Sequence, residues 1–464
     1  MNIIVVGAGK VGYTLAEQLC RENHDVTVVD SSEQALRRVR DALDVMCIGG
    51  NGVTVDTLTE AGAQNADLLI AATDLDEVNM ICCLTARNLG TGYTIARIRN
   101  PEYYPSMGTF KRNLGIGMVI NPENATALEI ARLLRYPSAS NVEHFCRGRV
   151  ELMGFRVQQG DFLVGKPLHS LGDRLQKLSM LFCAAERGGE VVIPNGSFVP
   201  QADDTLYVIG KPTGLDEFFR LLGRYSHKVK HVFVVGGGRV SVYLAQLLDR
   251  MKIGVKLVER DAEKCRAMSA RLPNAMVICG DGTDQELLSS ENLTASDAFV
   301  ALTDRDEDNL IISLYAMQQG MGKVITKSNR QNYAGIAHVV GLDSVISPKQ
   351  ITASHILHLV RGMQNSHGSI MHALYRIAGD QAEAMEFSVS KATHNLGVPL
   401  KQLKLKAGVL IAVIVRDDQV IIPEGSSTIQ ERDSVIVVSK DHTILDLNDI
   451  YESSSPVAGG ANEL

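Results

Sequence analysis

Three glycines near the start of the chain have the spacing of a phosphate-binding loop. Gly7, Gly9 and Gly12 follow an apolar run of strand length and open a segment of helical periodicity. In this setting the first glycine permits a tight turn, the second lets the backbone approach a pyrophosphate, and the third allows close helix packing. The free N–H groups of the helix N-terminus then face the phosphates. The predicted binding loop consists of Gly7, Ala8, Gly9, Lys10, Val11 and Gly12.

A carboxylate follows at the place where such a site holds the adenosine ribose. Asp30 closes the second apolar run, about 20 residues after the glycines, and can accept hydrogen bonds from the ribose hydroxyls. This carboxylate would repel a 2′-phosphate, and no arginine follows it in Asp30-Ser31-Ser32. The first site is therefore predicted to prefer NAD over NADP.

Polar residues and glycines also follow the other predicted strands of this segment. Open α/β sheets bind ligands outside the carboxyl ends of their strands. Asp74 has an alternative interpretation as the cap of the next helix, and the two roles are compatible. Arg97 has the alternative of a surface ion pair, but its predicted position beside the glycine loop favours a phosphate. The predicted contacts are Asn51, Gly52, Thr73, Asp74, Arg97 and Arg99.

The whole pattern occurs a second time in the chain. VFVVGGGRVS from Val232 repeats IIVVGAGKVG from Ile3, and ALTDRDEDNL from Ala301 repeats AATDLDEVNM from Ala71. Polar as well as apolar positions are in register, which indicates a second nucleotide site. Its predicted residues are Gly236, Gly237, Gly238, Arg239, Val240, Glu259, Asp281, Gly282, Thr303 and Asp304.

The second copy departs from the first at three positions. Ser241 replaces the third glycine, which we expect to loosen the packing of helix on sheet without removing backbone donors. Arg260 follows the ribose carboxylate Glu259, and Lys327 stands in place of Arg97. We therefore expect a nucleotide at this site but leave its identity open.

The elements that position these residues alternate as strand and helix. This order predicts α/β architecture with two tandem Rossmann-like, doubly wound parallel sheets. After each sheet, shorter alternating runs predict a small α+β domain, and IPNG at Ile193 and IPEG at Ile422 repeat between the two. The predicted domains are a first nucleotide-binding domain at 1–137, a first small regulatory domain at 141–225, a second nucleotide-binding domain at 229–362, a second small regulatory domain at 368–450, and a disordered tail at 451–464.

Composition excludes several classes of function. The chain has 464 residues, a net charge of −7 and no tryptophan, so no broad basic surface exists for nucleic acid. No apolar run approaches the roughly 18 residues of a spanning helix, which predicts a cytoplasmic protein.

The 8 cysteines lack C-x-x-C spacing and are expected to be reduced and buried. His355 and His358 have a metal-compatible spacing but no further ligand, so we predict no metal site.

Catalytic groups are not repeated along with the nucleotide sites. Hydride transfer to a carbonyl substrate usually needs a histidine or lysine with an orienting carboxylate in a substrate domain. The small domains contain scattered histidines, among them His144, His169, His394 and His442, with no repeated partner. A protein that binds nucleotide without turning it over is the better interpretation, so we predict no enzyme activity.

Taken together, these motifs resemble a known family. GAGKVG, Asp30, GNG, AATDLDEVNM and IARIRNPEY resemble the nucleotide domain of the KTN (RCK) family of potassium-conductance regulators, and the small domains are similar to its regulatory C-terminal partner. Two such pairs in one chain resemble the cytosolic regulatory subunits of bacterial Trk potassium uptake systems. The resemblance extends over essentially the whole chain.

This resemblance implies a regulatory function. The protein would bind NAD or NADH, with ATP or ADP as further ligands, and dock on the cytoplasmic face of a Trk-type potassium-translocating membrane subunit. It would lie peripherally on the inner face of the cell membrane, assemble into a ring expected to be a tetramer, and gate transport. Two alternatives stay open: an NAD-dependent dehydrogenase with duplicated domains, and a soluble nucleotide sensor with another partner.

Overall fold

A computed structural model describes residues 1–137, 139–175, 178–224, 229–330, 333, 335–337, 340–342, 344–364, 369–378 and 381–452. Residues 225–228 and 365–368, which fall at the predicted domain boundaries, and residues 453–464 of the predicted tail lie outside the described residues, whereas Tyr451 of that tail pairs with Leu405. The chain divides into two compact units: the first contains the described parts of residues 1–135 and 228–357, the second those of 136–227 and 358–464. Each unit thus combines the two copies of one domain type.

The first unit holds two six-stranded parallel sheets, which confirms the predicted fold class. Their orders are β3-β2-β1-β4-β5-β6 and β14-β13-β12-β15-β16-β17, the same topology twice. This is the strand order of dinucleotide-binding folds, in which the order reverses beside the first strand and opens a crevice. The strands are β1 Asn2–Val6, β2 Asp25–Asp30, β3 Met46–Gly49, β4 Leu68–Ala71, β5 Tyr93–Arg97, β6 Met118–Ile120, β12 His231–Val235, β13 Gly254–Glu259, β14 Ala275–Cys279, β15 Ala298–Ala301, β16 Lys323–Lys327 and β17 Val345–Ile346.

Helices connect these strands on both faces of each sheet. The central strands β1, β4 and β15 are almost continuously buried, because helices cover both of their faces. The helices of this part of the chain are α1 Lys10–Arg21, α2 Glu33–Ala42, α3 Val55–Glu60, α4 Asp76–Leu89, α5 Met107–Leu114, α6 Pro122–Arg135, α9 Arg239–Arg250, α10 Ala262–Arg271, α11 Gln285–Ser290, α12 Asp306–Gln318 and α13 Pro348–Gln364.

The second unit holds two five-stranded antiparallel sheets. Their orders, β10-β9-β11-β8-β7 and β21-β20-β22-β19-β18, are again the same topology. The strands are β7 Asn141–Phe145, β8 Val150–Arg156, β9 Met180–Arg187, β10 Glu190–Val192, β11 Thr205–Gly210, β18 Met371–Ile377, β19 Ala382–Ser388, β20 Val409–Arg416, β21 Gln419–Ile421 and β22 Ser434–Ser439. The helices are α7 Gly172–Leu175 and α8 Pro212–Leu221.

One hydrophobic core joins the two small domains. It contains Phe145 and Leu152 from the first copy and Ile377 and Val438 from the second. Phe145 packs edge to face on Tyr375 with ring centroids 5.0 Å apart. Because apolar side chains of both copies share this core, the small domains are stabilised as a pair.

Candidate nucleotide-binding sites

The first glycine loop borders a large cavity at the carboxyl ends of its strands. The cavity has a volume of about 910 Å³. It lies at the crevice that the strand order predicts. Eleven of the thirteen residues predicted for this site line it: Gly7, Ala8, Gly9, Lys10, Val11, Asp30, Asn51, Gly52, Thr73, Asp74 and Arg97. Gly12 and Arg99 lie outside it.

Two glycines of this loop are required by their surroundings. Gly7 has a φ of +102°, and a Cβ there would lie 2.9 Å from the backbone nitrogen of Thr73. A Cβ on Gly12 would lie 1.7 Å from the carbonyl oxygen of Gly7. Gly12 therefore does not contact the cavity but allows helix α1 to approach the turn that forms it.

The ribose carboxylate also holds the loop in place. One oxygen of Asp30 accepts a hydrogen bond from the Ala8 N–H at 2.6 Å, and the other accepts from the Ser32 N–H at 2.7 Å. A carboxylate has about four acceptor positions, so lone pairs remain for ribose hydroxyls. Asp30 can therefore organise the loop and receive a ligand at the same time.

Asn79, which the sequence analysis did not assign, connects the ends of β4 and β5. Its side chain is fully buried. The amide oxygen accepts from the Thr73 N–H at 2.8 Å and from the Thr73 hydroxyl at 2.7 Å. The amide nitrogen donates to the carbonyl oxygens of Thr73 at 3.1 Å and Arg97 at 2.8 Å. Asn309 makes the same four bonds with Thr303 and Lys327. The in-register repeat was the available signal for both asparagines.

Replacing Asn79 with alanine is expected to lower the free energy of unfolding by about 3 kcal/mol, because several buried backbone groups lose their partner. Urea denaturation of the full chain measures this change. Asn309→Ala should have a similar effect in the second copy. Asp74→Ala is the matched control, since its side chain is 92% exposed and should change stability by less than about 0.5 kcal/mol. Equal effects of the asparagine and control variants would contradict the expectation.

The acidic residues after β4 have different roles from those predicted. The N-cap residue of α4 is Leu75, so the capping interpretation of Asp74 is wrong. Asp76 is instead the buried acid: its carboxylate accepts from the N–H groups of Arg99 at 2.8 Å and Asn100 at 2.7 Å. The guanidinium of Arg99 lies against Asp76 and the Asp74 carbonyl. Arg99 is thus held away from the first cavity.

Arg97 places a nearly buried cation in the cavity wall. Its side chain is 11% exposed and lies 3.6 Å from both Asp74 and Glu123. Burial lowers the pKa of Arg97, an effect that Glu123 and Asp74 oppose. Its Nε has no hydrogen-bond partner among the described residues. Because Arg97 lines the cavity, its guanidinium could donate a charge-assisted hydrogen bond to a phosphate oxygen.

The second site has the same plan but a smaller cavity, of about 100 Å³. One oxygen of Glu259 accepts from the Gly237 N–H at 2.7 Å and the other from the Asp261 N–H at 2.9 Å, as Asp30 does in the first copy. Eight of the ten predicted residues line the cavity: Gly236, Gly237, Gly238, Glu259, Asp281, Gly282, Thr303 and Asp304. Arg239 and Val240 lie outside it.

Ser241 does not simply loosen the second loop. Its hydroxyl donates a hydrogen bond to the carbonyl oxygen of Gly236, and its side chain is buried. The loop therefore accommodates the Cβ of Ser241, and the hydroxyl of this residue forms a hydrogen bond within the loop. Lys327 stands in the place of Arg97 but lies outside the lining of the second cavity, whose cationic residues are Arg260, Lys264 and Arg305. Burial lowers the pKa of Lys327, an effect that Asp304 and Asp306 oppose, and its Nζ lies 3.4 Å from the Leu302 carbonyl oxygen and 3.9 Å from Asp304.

A hydrogen-bonded link connects the two copies inside the first unit. Tyr243 lies on α9, the helix that the second glycine loop opens. Its hydroxyl donates to the Arg99 carbonyl oxygen at 2.9 Å and accepts from Asn121 at 3.0 Å. Arg239 and Arg99 line a separate cavity of about 280 Å³ beside Tyr243. The helix of one site thus contacts the strand end that carries Arg97 of the other.

In the part of the chain that the structure describes, no set of three or more His, Cys, Asp or Glu residues is arranged to hold a metal ion. Nor does any helix within the described ranges have the length and apolar character to cross a membrane.

Comparison with known proteins identifies the family. The TrkA-N domain model matches residues 3–122 and 232–348, and the TrkA-C domain model matches residues 152–223 and 384–451. The chain is 36% identical over 452 residues to Trk system potassium uptake protein TrkA homolog 1 of Methanosarcina mazei, covering 95% of this chain and 97% of that protein. The chain belongs to the TrkA family. The resemblance inferred from its motifs is confirmed.

Other TrkA-family and RCK proteins extend the comparison. Trk system potassium uptake protein TrkA of Vibrio alginolyticus is 34% identical over 440 residues, covering 94% of this chain and 95% of that one. Among solved structures, the GsuK channel bound to NAD matches with a TM-score of 0.62 and 19% identity, covering 94% of this chain and 76% of that chain. The relatives support a regulatory role in potassium transport, and the structure neighbour supports the RCK fold.

Proposed function

We propose that this TrkA-family chain is the nucleotide-binding regulatory subunit of a Trk-type potassium uptake system. It binds NAD or NADH at the first site, with ATP or ADP as the alternative ligands, and an adenine nucleotide at the second. It docks on the cytoplasmic face of a potassium-translocating membrane subunit, where it assembles into a ring of four copies and gates transport. It catalyses no reaction itself.

The first cavity and its cation support the ligand most directly. The cavity of about 910 Å³ lies outside the carboxyl ends of the strands, beside a loop whose N–H groups suit phosphates. Arg97 contributes a guanidinium whose Nε lacks a partner among the described residues. The GsuK channel, which shares the fold, is known in an NAD-bound structure. An anionic dinucleotide is the ligand class that suits these features best.

Gating requires that a ligand favour one arrangement of the protein over another. A nucleotide can change transport only by binding two arrangements with different affinity. The hydrogen bond from Tyr243 on α9 to the Arg99 carbonyl oxygen, near the strand end that carries Arg97, supports such a role. A displacement of the backbone at either site would change this contact with the other site. The relatives that are named as potassium uptake proteins support the transporter as the regulated partner.

Alanine at the second glycine of each loop separates binding from folding. A Cβ on Gly9 or Gly238 would meet no described atom within 4 Å, so the fold should tolerate it. The same methyl group would occupy space that a pyrophosphate needs. We therefore expect Gly9→Ala to remove nucleotide binding at the first site and Gly238→Ala at the second, each without a change in the unfolding midpoint.

Flux measurements on these variants test the function. The full chain is combined with a Trk-type transporter in proteoliposomes, and potassium flux is measured with and without NADH or ATP. We expect nucleotide to change flux by roughly 5-fold or more, a typical coupling strength, and the effect to be lost in the double variant. A potassium flux that is the same with and without nucleotide would contradict gating. NADH oxidation with a metabolite at ordinary enzymatic rates would favour the dehydrogenase, and membrane association that survives deletion of every Trk-type transporter would point to another partner.

A further inference from the structure

Two cysteines converge beside the ribose carboxylate of the second site. Cys279 ends strand β14 and is in register with Glu259 on the neighbouring strand β13. Cys265 lies on helix α10, and its thiol donates to the Glu259 carbonyl oxygen at 3.1 Å. Both sulfur atoms therefore belong to the small region where α10 covers the ends of β13 and β14.

The first copy shows that side chains at these two positions would lie within contact distance. Leu36 and Gly49 are the corresponding residues, because Gly49 is in register with Asp30 as Cys279 is with Glu259. A Cβ built on Gly49 would lie 3.7 Å from Cδ1 of Leu36. A side chain in the place of Gly49 would thus contact the helix residue, and the second copy has thiols at both positions.

The two thiols differ in accessibility. Of the chain's 8 cysteines, all of which the structure describes, Cys279 is the one that is exposed. Cys265 is 7% exposed. Burial raises the pKa of the Cys265 thiol to about 11, and the neighbouring Cys279 adds to the rise. An oxidant would therefore react with the exposed thiol of Cys279 first, and the buried thiol of Cys265 would react afterwards.

We propose that Cys265 and Cys279 form a reversible disulfide, made by hydrogen peroxide, that closes the second nucleotide site. The sulfur of Cys279 attacks one peroxide oxygen, the O–O bond breaks, and a sulfenic acid and water result. The sulfur of Cys265 then attacks the sulfenic sulfur, an S–S bond forms, and a second water leaves with the Cys265 proton. Two thiols are oxidised by two electrons in all, and one peroxide is reduced to two waters. A dithiol reductant reverses the change by exchange.

Closure follows from where the cross-link lies. Cys279 is followed by Gly280 and then by Asp281 and Gly282, which line the second cavity, and Cys265 follows Lys264, which also lines it. The cavity holds about 100 Å³, less than the roughly 300 Å³ at which small-molecule pockets begin, so a nucleotide needs more room between the elements that line it. A disulfide would hold two of those elements, α10 and the loop after β14, together. This inference rests on the proposed nucleotide binding at the second site.

The test uses the full chain with Gly9→Ala, which leaves only the second site to bind. Reduced and peroxide-treated samples are alkylated, digested without reductant and analysed by mass spectrometry, and ATP and NADH binding is followed by calorimetry. We expect a Cys265–Cys279 linked peptide, at least a tenfold loss of nucleotide affinity, and recovery of both after dithiothreitol. Cys279→Ser should retain affinity after peroxide, whereas Cys47→Ser, which removes an isolated cysteine of the first copy, should behave as the parent does.

The outcomes separate this inference from the proposed function. Absence of the linked peptide, or oxidation of Cys279 only to the sulfinic acid, would overturn the disulfide whatever the site binds. A linked peptide with affinity unchanged within twofold would overturn the closure. Reduced protein that binds no nucleotide would overturn the proposed function of the second site and the closure with it. The disulfide would still be tested in that case, because peptide mapping requires no ligand.

Discussion

Replacing Gly12 with alanine should lower the free energy of unfolding of the first unit by about 3 kcal/mol and remove nucleotide binding at the first site. The added Cβ would lie 1.7 Å from the Gly7 carbonyl oxygen, so the turn and helix α1 must move apart. Overpacking of this kind costs roughly 1 to 3 kcal/mol or more. Urea denaturation and calorimetric titration with NADH measure the two effects.

Ser241→Ala is the matched control for this variant. The second loop already accommodates a Cβ at this position, so alanine removes only the hydroxyl that donates to the Gly236 carbonyl. We expect a loss of stability of about 1 kcal/mol, the usual value for one hydrogen bond. If Gly12→Ala were as mild as Ser241→Ala, close packing would not be what the third glycine provides.

Replacing Arg97 with methionine should weaken NADH binding at the first site by roughly 30-fold or more, about 2 kcal/mol, while changing the stability of the ligand-free protein by less than about 1 kcal/mol. The guanidinium is 11% exposed, and its Nε has no partner among the described residues. Burial already lowers its pKa, so the ligand-free protein gains little from the charge. A phosphate would gain a charge-assisted hydrogen bond from it.

Titration in a Gly238→Ala background assigns this effect to the first site. Lys327→Met in a Gly9→Ala background is the corresponding measurement at the second site and should show a smaller loss, because Lys327 does not line that cavity. Arg99→Met provides a control, because Arg99 contacts Asp76 outside the first cavity. An Arg99 variant that weakened nucleotide as much as Arg97→Met would contradict the assignment of the phosphate contact to Arg97.

Much of the fold was predictable because its signals are local. Strand-length apolar runs alternate with helical periodicity, and the apolar run from Leu68 to Ala71 is the whole of strand β4. The strands Met118–Ile120 and Val345–Ile346 are not predictable in this way, because two or three apolar residues carry no recognisable period. These short strands pair at the sheet edge, where a neighbouring strand provides the register that their own sequence lacks.

The sequence by itself determined the duplicated glycine loops, their carboxylates and the family, since each depends on residue types at fixed spacings. Only the tertiary structure decided that Arg97 lines the cavity while Asp76 holds Arg99 outside it. It also decided that the cavities differ, at about 910 and 100 Å³, and that Cys265 and Cys279 converge. Side-chain direction and cavity volume depend on contacts between residues that are distant in the chain, and the spacing of residue types along the chain does not predict those contacts.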